Sequence, residues 1–183
     1  MGELILILGG ARSGKSAHAE QLARRRGGEV LFVATATAGD DEMARRIAAH
    51  RADRPAGWRT LEAPSGVAEV VAALNDPSGT IILDCVTLLV SNLLLAHEEA
   101  GGTAIERAID AEIDALLDRI GSNAATWIVV SNEVGMGLVP PYPLGRAYRD
   151  LLGRANARLA ARADRAYLLV AGLPLDLKRL MAE

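Results

Sequence analysis

Eight consecutive residues, Gly9-Gly10-Ala11-Arg12-Ser13-Gly14-Lys15-Ser16, satisfy the pattern G-x-x-x-x-G-K-[ST] at every fixed position. Glycine at the first and sixth places lets the backbone turn tightly and approach a ligand with no Cβ in the way. The peptide N–H groups of such a loop, opening onto a helix N-terminus, form a concave positive surface that suits phosphoryl oxygens. Lys15 adds a point charge, and Ser16 adds a hydroxyl able to reach Mg2+. The chemistry implied is binding of a nucleoside triphosphate, with no statement about the reaction that follows. A glycine turn without a ligand is the competing account. It leaves unexplained why a chain with eighteen arginines keeps one of its two lysines, Lys15 and Lys178, at this place.

Three further places carry groups that could do chemistry. Asp84 closes the apolar run Thr80-Ile81-Ile82-Leu83. A carboxylate there is either a second Mg2+ partner, directly or through water, or the cap of a helix starting near Val86. Its neighbour Cys85 reads as a small buried apolar residue. His50 shares a helix face with Met43 and Ile47, and Arg51 and Arg54 follow it closely. An imidazole can attack phosphorus and carry it as a phosphoramidate, with guanidiniums stabilising the phosphoryl charge. By pattern alone, however, a lone histidine near a helix end more often caps carbonyls or faces solvent. His18 is expected on the surface and His97 at a helix end. In Asn132-Glu133-Val134-Gly135-Met136-Gly137, Glu133 is either a base toward a substrate hydroxyl, or a group positioning metal-bound water, or simply a cap for the next turn.

The elements that must hold these residues follow from the apolar pattern. Leu4–Leu8, Glu29–Thr35, Thr80–Asp84, Thr126–Ser131 and Ala166–Val170 read as strands, with a short one at Trp58–Glu62. Between them lie helical patterns at Ser13–Arg26, Asp40–Arg54, Ser65–Leu74, Val86–His97, Thr103–Ile120 and Leu144–Ala163. Ser65 is placed as a helix cap, Asn75-Asp76-Pro77 as a breaker and Gly101-Gly102 as a separator. Leu173–Leu177 can return past Gly172 as an antiparallel edge strand. Continuous apolar strands alternating with helices predict an α/β fold: a mostly parallel central sheet with helices on both faces. Ligands of such sheets bind beyond the carboxyl ends of the strands, where the phosphate loop and Asp84 fall.

Composition narrows the class. With 183 residues, 50% hydrophobic and 23% charged, the chain can bury a core and is not disordered. The length predicts one nucleotide-binding domain over 1–183. A net charge of −3 gives no electrostatic footprint for nucleic acid or an anionic membrane. Apolar runs fall far short of the roughly 20 residues that span a bilayer. A single cysteine excludes an internal disulfide and fits a reducing compartment. Gly2 and Glu3 precede the first apolar run without a basic leader, so a cytoplasmic location is expected.

Taken in order, the phosphate loop, Asp41-Glu42-Met43-Ala44-Arg45-Arg46-Ile47 leading to His50, Arg54-Pro55 with Trp58-Arg59-Thr60, and the Ser131–Gly137 segment resemble a known family. It is that of the bifunctional adenosylcobinamide kinases / adenosylcobinamide-phosphate guanylyltransferases of cobalamin assembly, and the resemblance runs over essentially the whole chain. It implies a P-loop NTPase fold of recombinase-like arrangement. It implies two reactions: phosphorylation of adenosylcobinamide by ATP or GTP, then transfer of GMP from GTP to adenosylcobinamide phosphate. The second is expected to pass through a guanylylated histidine, and His50 is the matching position. Ala49 stands where some relatives carry an adjacent histidine. Carried over, nucleotide contacts fall on Gly9, Gly10, Ala11, Arg12, Ser13, Gly14, Lys15, Ser16, Ala34, Thr35, Ala36, Arg51, Ala52, Asp53, Arg54, Glu62 and Asp84, with Ser16 and Asp84 toward Mg2+. A homotrimer is implied as well. Two other readings share the loop: a plain small-molecule kinase in which His50 is dispensable, and a non-catalytic nucleotide-binding module.

Overall fold

The computed structural model describes residues 2–37, 41–52, 54–74 and 79–180. In the helix Asp41–Ala52, the side chains of residues 42, 43, 46, 47, 49 and 50 are not among those described. The chain runs β1 (Glu3–Gly9), α1 (Lys15–Arg26), β2 (Val30–Ala34), α2 (Asp41–Ala52), β3 (Arg59–Glu62), α3 (Val67–Ala72), β4 (Thr80–Asp84), α4 (Val86–Ala96), α5 (Gly102–Ser122), β5 (Thr126–Val130), α6 (Pro143–Arg162), β6 (Arg165–Val170) and β7 (Leu173–Asp176). Short 3-10 turns follow α4 and β7.

Seven strands form one sheet in the order β3-β2-β4-β5-β1-β6-β7. Every pairing is parallel except that of β7, which folds back antiparallel on β6 as the edge strand. The alternation of side chains along each strand divides the core in two. On one face Leu4, Leu6, Ile81, Leu83, Trp127 and Val129 meet α3, α4, α5 and α6. On the other, Ile5, Ile7, Phe32, Ile82, Ile128 and Val130 meet Ala19 and Ala23 of α1. The small alanines let α1 lie close to the sheet. Trp127 is fully buried and donates its Nε1–H to Asn123 Oδ1 at 3.2 Å, so its polar edge is satisfied inside the core.

Several boundaries differ from expectation for local reasons. α1 starts at Lys15 rather than Ser13, because Gly14, with φ of 95°, is its left-handed N-cap. Ser65 does not cap α3. Gly66 stands at the N-cap with φ of 63°, and the Glu112 carboxylate of α5 accepts from Gly66 N–H at 2.9 Å and Val67 N–H at 2.8 Å. Gly102 belongs to α5, and the break falls at Gly101, whose φ is 86°. Pro143 opens α6, where its missing N–H costs nothing. The breaker Asn75-Asp76-Pro77 lies outside the described residues. No helix among the described residues is long and apolar enough to cross a membrane.

Candidate active site

The phosphate loop leaves β1 in the middle of the sheet. Gly9 has φ of 152°, and a Cβ there would stand 2.6 Å from both Leu169 O and Ser13 Oγ, so only glycine fits. The loop closes through Ser13 N–H to Gly10 O at 3.3 Å. Ser13 is buried with its Oγ unpartnered, whereas Gly10, Ala11 and Arg12 are exposed. Lys15 is also buried, and its ammonium donates to Gly10 O at 2.6 Å, curling back over its own loop. Burial lowers the lysine pKa, while Cys85 and then Asp84 pull it back up. An ammonium with three donors and one carbonyl partner among the described residues retains capacity for phosphoryl oxygens. Ser16 follows in the first turn of α1, half-buried.

Asp84 ends β4 and is half-buried. It does not cap α4, whose N-cap is Cys85 with no side-chain bond. The Cys85 thiol is pushed up to about 11, by burial first and then by Asp84, and the residue is half-buried rather than fully buried as its pattern suggested. Burial likewise lowers the Arg54 pKa, and Asp84 is the first charge opposing that shift. Asp84 therefore sits in the electrostatic neighbourhood of both Lys15 and Arg54. The Arg54 guanidinium stacks 3.5 Å from the centroid of Phe32 on β2 and donates to Thr60 Oγ1 at 3.3 Å.

Of the contacts expected at the end of β2, Ala34 and Thr35 are buried and Ala36 is half-buried. Thr35 is a clasp. Its hydroxyl donates to Cys85 O at 2.7 Å and accepts from Cys85 N–H at 2.8 Å, and its own N–H reaches Asp84 O at 3.2 Å. Asn92 of α4 extends the clasp, donating to Thr35 O at 2.9 Å and to Pro64 O at 3.0 Å. An amide side chain, Asn92, within the largely apolar α4 was the available signal for it.

Arg51 and Glu62 are exposed and paired at 3.7 Å, which sets the end of α2 beside the end of β3. Ala52 is exposed, and Asp53 lies outside the described residues. His50 occupies the last turn of α2, and its side chain is outside those described. Because β3 and β1 are four strand spacings apart, their ends are separated by about 19 Å.

The segment after β5 forms the other rim. Glu133 N–H donates to Gly9 O at 3.0 Å, tying the rim to the phosphate loop. The Glu133 carboxylate accepts from Gly135 N–H at 2.5 Å, the turn-capping alternative. Asn132 is held on both sides, by Thr87 Oγ1 at 2.7 Å and by Asn156 Nδ2 at 3.0 Å. Beyond it Met136, Leu138, Val139 and Tyr142 stand exposed. His18 departs from expectation. It is half-buried, edge-on to Tyr167 at 5.4 Å, with Nε2 buried and unpartnered. Burial, then Arg25 and Arg165, lower its pKa. His97 follows α4 as its C-cap.

Mg2+ suits this donor set. Among the described residues no group of three or more His, Cys, Asp or Glu side chains could hold a metal ion. A hydroxyl and one carboxylate match an ion that keeps several waters and takes its other ligands from phosphates.

A family model described as "Cobinamide kinase / cobinamide phosphate guanyltransferase" matches residues 5–177. The bifunctional adenosylcobalamin biosynthesis protein CobP of Pseudomonas aeruginosa is 46% identical over 173 residues, covering 94% of this chain and 96% of its own. The bifunctional adenosylcobalamin biosynthesis proteins CobU of Salmonella typhimurium and Escherichia coli are 45% and 43% identical over 181 residues, covering 96% of this chain and 99% of theirs.

Proposed function

The chain belongs to the cobinamide kinase / cobinamide phosphate guanyltransferase family, and from that premise we propose a two-step chemistry with His50 as the covalent carrier of the second step. It is a bifunctional enzyme of cobalamin biosynthesis. In the kinase step the hydroxyl oxygen of adenosylcobinamide's aminopropanol arm attacks the γ-phosphorus of ATP or GTP. The bond to the β–γ bridging oxygen breaks, and the nucleoside diphosphate leaves. In the transfer step an imidazole nitrogen of His50 attacks the α-phosphorus of GTP and pyrophosphate departs. A phosphate oxygen of adenosylcobinamide phosphate then displaces the imidazole, giving adenosylcobinamide-GDP and free His50.

The observation that carries this proposal is a closed phosphate loop with the Lys15 ammonium curled over it beyond β1, together with Asp84 at the carboxyl end of β4 and Arg54 stacked over Phe32 of β2. The loop amides and Lys15 hold the β- and γ-phosphates and neutralise charge as the bridging bond breaks. Bound Mg2+, held by Ser16 and Asp84, would withdraw charge from the phosphoryl oxygens. Arg54, stacked over Phe32, and Arg51, free to exchange Glu62 for a phosphate, supply cationic charge near the transfer step. Since the loop and the end of β3 are about 19 Å apart, transfer requires GTP and α2 to meet over the ends of β4 and β2. The exposed apolar stretch from Met136 to Tyr142 is surface that a monomer rarely leaves bare, and we assign it to contact between copies in a homotrimer.

GTP labelled at the α-phosphate tests the covalent step. Acid-labile, base-stable label should remain on the protein. His50→Asn should abolish both label and GMP transfer while leaving phosphorylation of adenosylcobinamide intact. A His50→Asn protein that still transfers GMP would remove His50 as the covalent carrier, and no label under conditions where the protein binds GTP would favour the plain-kinase reading. Nucleotide binding without corrinoid-dependent turnover would reduce it to a binding module.

A further inference from the structure

The phosphate loop does not stand alone on β1. Strands β6 and β7 are joined by two residues, Ala171 and Gly172, with φ of 51° and 82°, both positive as in a type I′ hairpin turn. The tip of this turn lies against the phosphate loop. Gly172 N–H donates to Ser13 O at 3.0 Å. A Cβ on Gly14 would stand 3.4 Å from Gly172 Cα. The same hairpin presses on the start of the loop, where Leu169 O lies 2.6 Å from a Cβ built on Gly9.

A trans peptide plane points its C=O and its N–H in opposite directions. Anchoring Ser13 O on the hairpin therefore turns the N–H of Gly14 away from the hairpin. We infer that the β6–β7 turn is a positioning element for nucleotide binding, with Gly172 fixing the Ser13–Gly14 peptide so that its N–H faces the triphosphate. Gly172 touches no reacting atom and acts through Ser13 and Gly14. The inference rests on the phosphate-loop assignment above, and concerns the backbone that shapes that loop. The antiparallel return at the sheet edge is thereby more than a closing strand, because the tip of its turn presents a donor to the Ser13 carbonyl.

The test exploits the left-handed conformation at position 172. No heavy atom lies within 4 Å of a Cβ built on Gly172, so a side chain has room and only the backbone is perturbed. Asparagine tolerates positive φ, alanine less so, and a β-branched valine least. Gly172→Asn, Gly172→Ala and Gly172→Val should therefore weaken binding of a fluorescent GTP analogue in that order. Asn should lie within about twofold of the parent, and Val should lose about tenfold or more, the worth of one charge-assisted amide contact. The KM for the nucleoside triphosphate should rise in step, while the KM for adenosylcobinamide stays put. General damage to the fold would lower the active fraction and leave the KM unmoved. If Gly172→Val does not fold, the Asn and Ala pair still reads the order. Equal affinities across the series, or a ranking by side-chain size (Ala best, Asn and Val together), would overturn the inference. Lys15→Ala serves as the control. If it binds nucleotide like the parent, the phosphate-loop assignment itself fails. If it loses affinity while the Gly172 series stays flat, only the role of the hairpin fails.

Discussion

Replacing Asn92 with leucine probes how the carboxyl ends of β2, β3 and β4 are held together. One nitrogen, Nδ2, donates to Thr35 O at 2.9 Å and to Pro64 O at 3.0 Å. Leucine has similar volume and donates to neither. Thr35 is 0% exposed, so its carbonyl cannot recover a water partner. An orphaned buried acceptor of this kind costs about 1–3 kcal/mol. Pro64 is exposed, and its carbonyl loses only the net worth of a bond, about 0.5–1.5 kcal/mol. Leucine's added apolar contact at this half-buried position offsets on the order of 1 kcal/mol. The balance is a loss of about 2 kcal/mol, which lowers Tm by about 4–8 °C in a chain of this size. Because Thr35 N–H holds Asp84 O, the variant should also raise the KM for nucleoside triphosphate. Thermal unfolding gives the first quantity. A double-mutant cycle with Thr35→Val should add a coupling of about 1 kcal/mol or more, as expected for partners in one network. A Tm within about 1 °C of the parent, or strictly additive costs, would refute the claim that Asn92 and Thr35 form one clasp.

Two further perturbations concern stability. Glu112→Ala removes the acceptor for Gly66 and Val67 N–H at the start of α3 and should cost about 1–2 kcal/mol in urea unfolding; Glu112→Gln, which keeps one acceptor, should recover part of this, and an Ala variant as stable as the parent would disprove the cap. His18 has a pKa below its ordinary 6.5 when folded, so at acidic pH the unfolded chain takes up a proton that the native one resists. Stability should therefore fall as the pH drops through 6.5, the reference value, and His18→Phe should lose that part of the dependence. Equal pH slopes for the two proteins would show that the buried imidazole is not responsible.

The strands at the centre of the sheet were legible because each is a continuous apolar run bounded by glycine or a polar residue. Leu4–Leu8 and Thr80–Asp84 needed no other information. The phosphate loop was legible because its glycines and lysine answer a local demand, visible without knowledge of any neighbour. Strand order was not legible, since parallel pairing leaves little trace in either partner's own sequence. The cap of α3 was missed for a related reason. Ser65 is the right residue type nearby, but the acceptor comes from Glu112 on another helix. His18 read as surface because nothing local marks a partner for it, and the ring that covers it belongs to β6. Thr35 was singled out as a contact, but its hydroxyl is occupied by the backbone of Cys85, which no local pattern records. What the sequence withheld, in each case, was a partner distant along the chain.

The place of β1 in the sheet has a consequence for synthesis. This strand leaves the ribosome well before its neighbours β5 and β6, which are made from residues 126–130 and 165–170. Until that last third emerges, β1 has no neighbour to hydrogen-bond, and the residues destined for the nucleotide cradle are tethered to an unpaired, apolar segment. Long-range parallel pairing of this sort is slow and leaves sticky surface open while it waits. Nucleotide capture is thus a late event in the life of the polypeptide, and a chain truncated before β6 would expose β1 as a seed for aggregation.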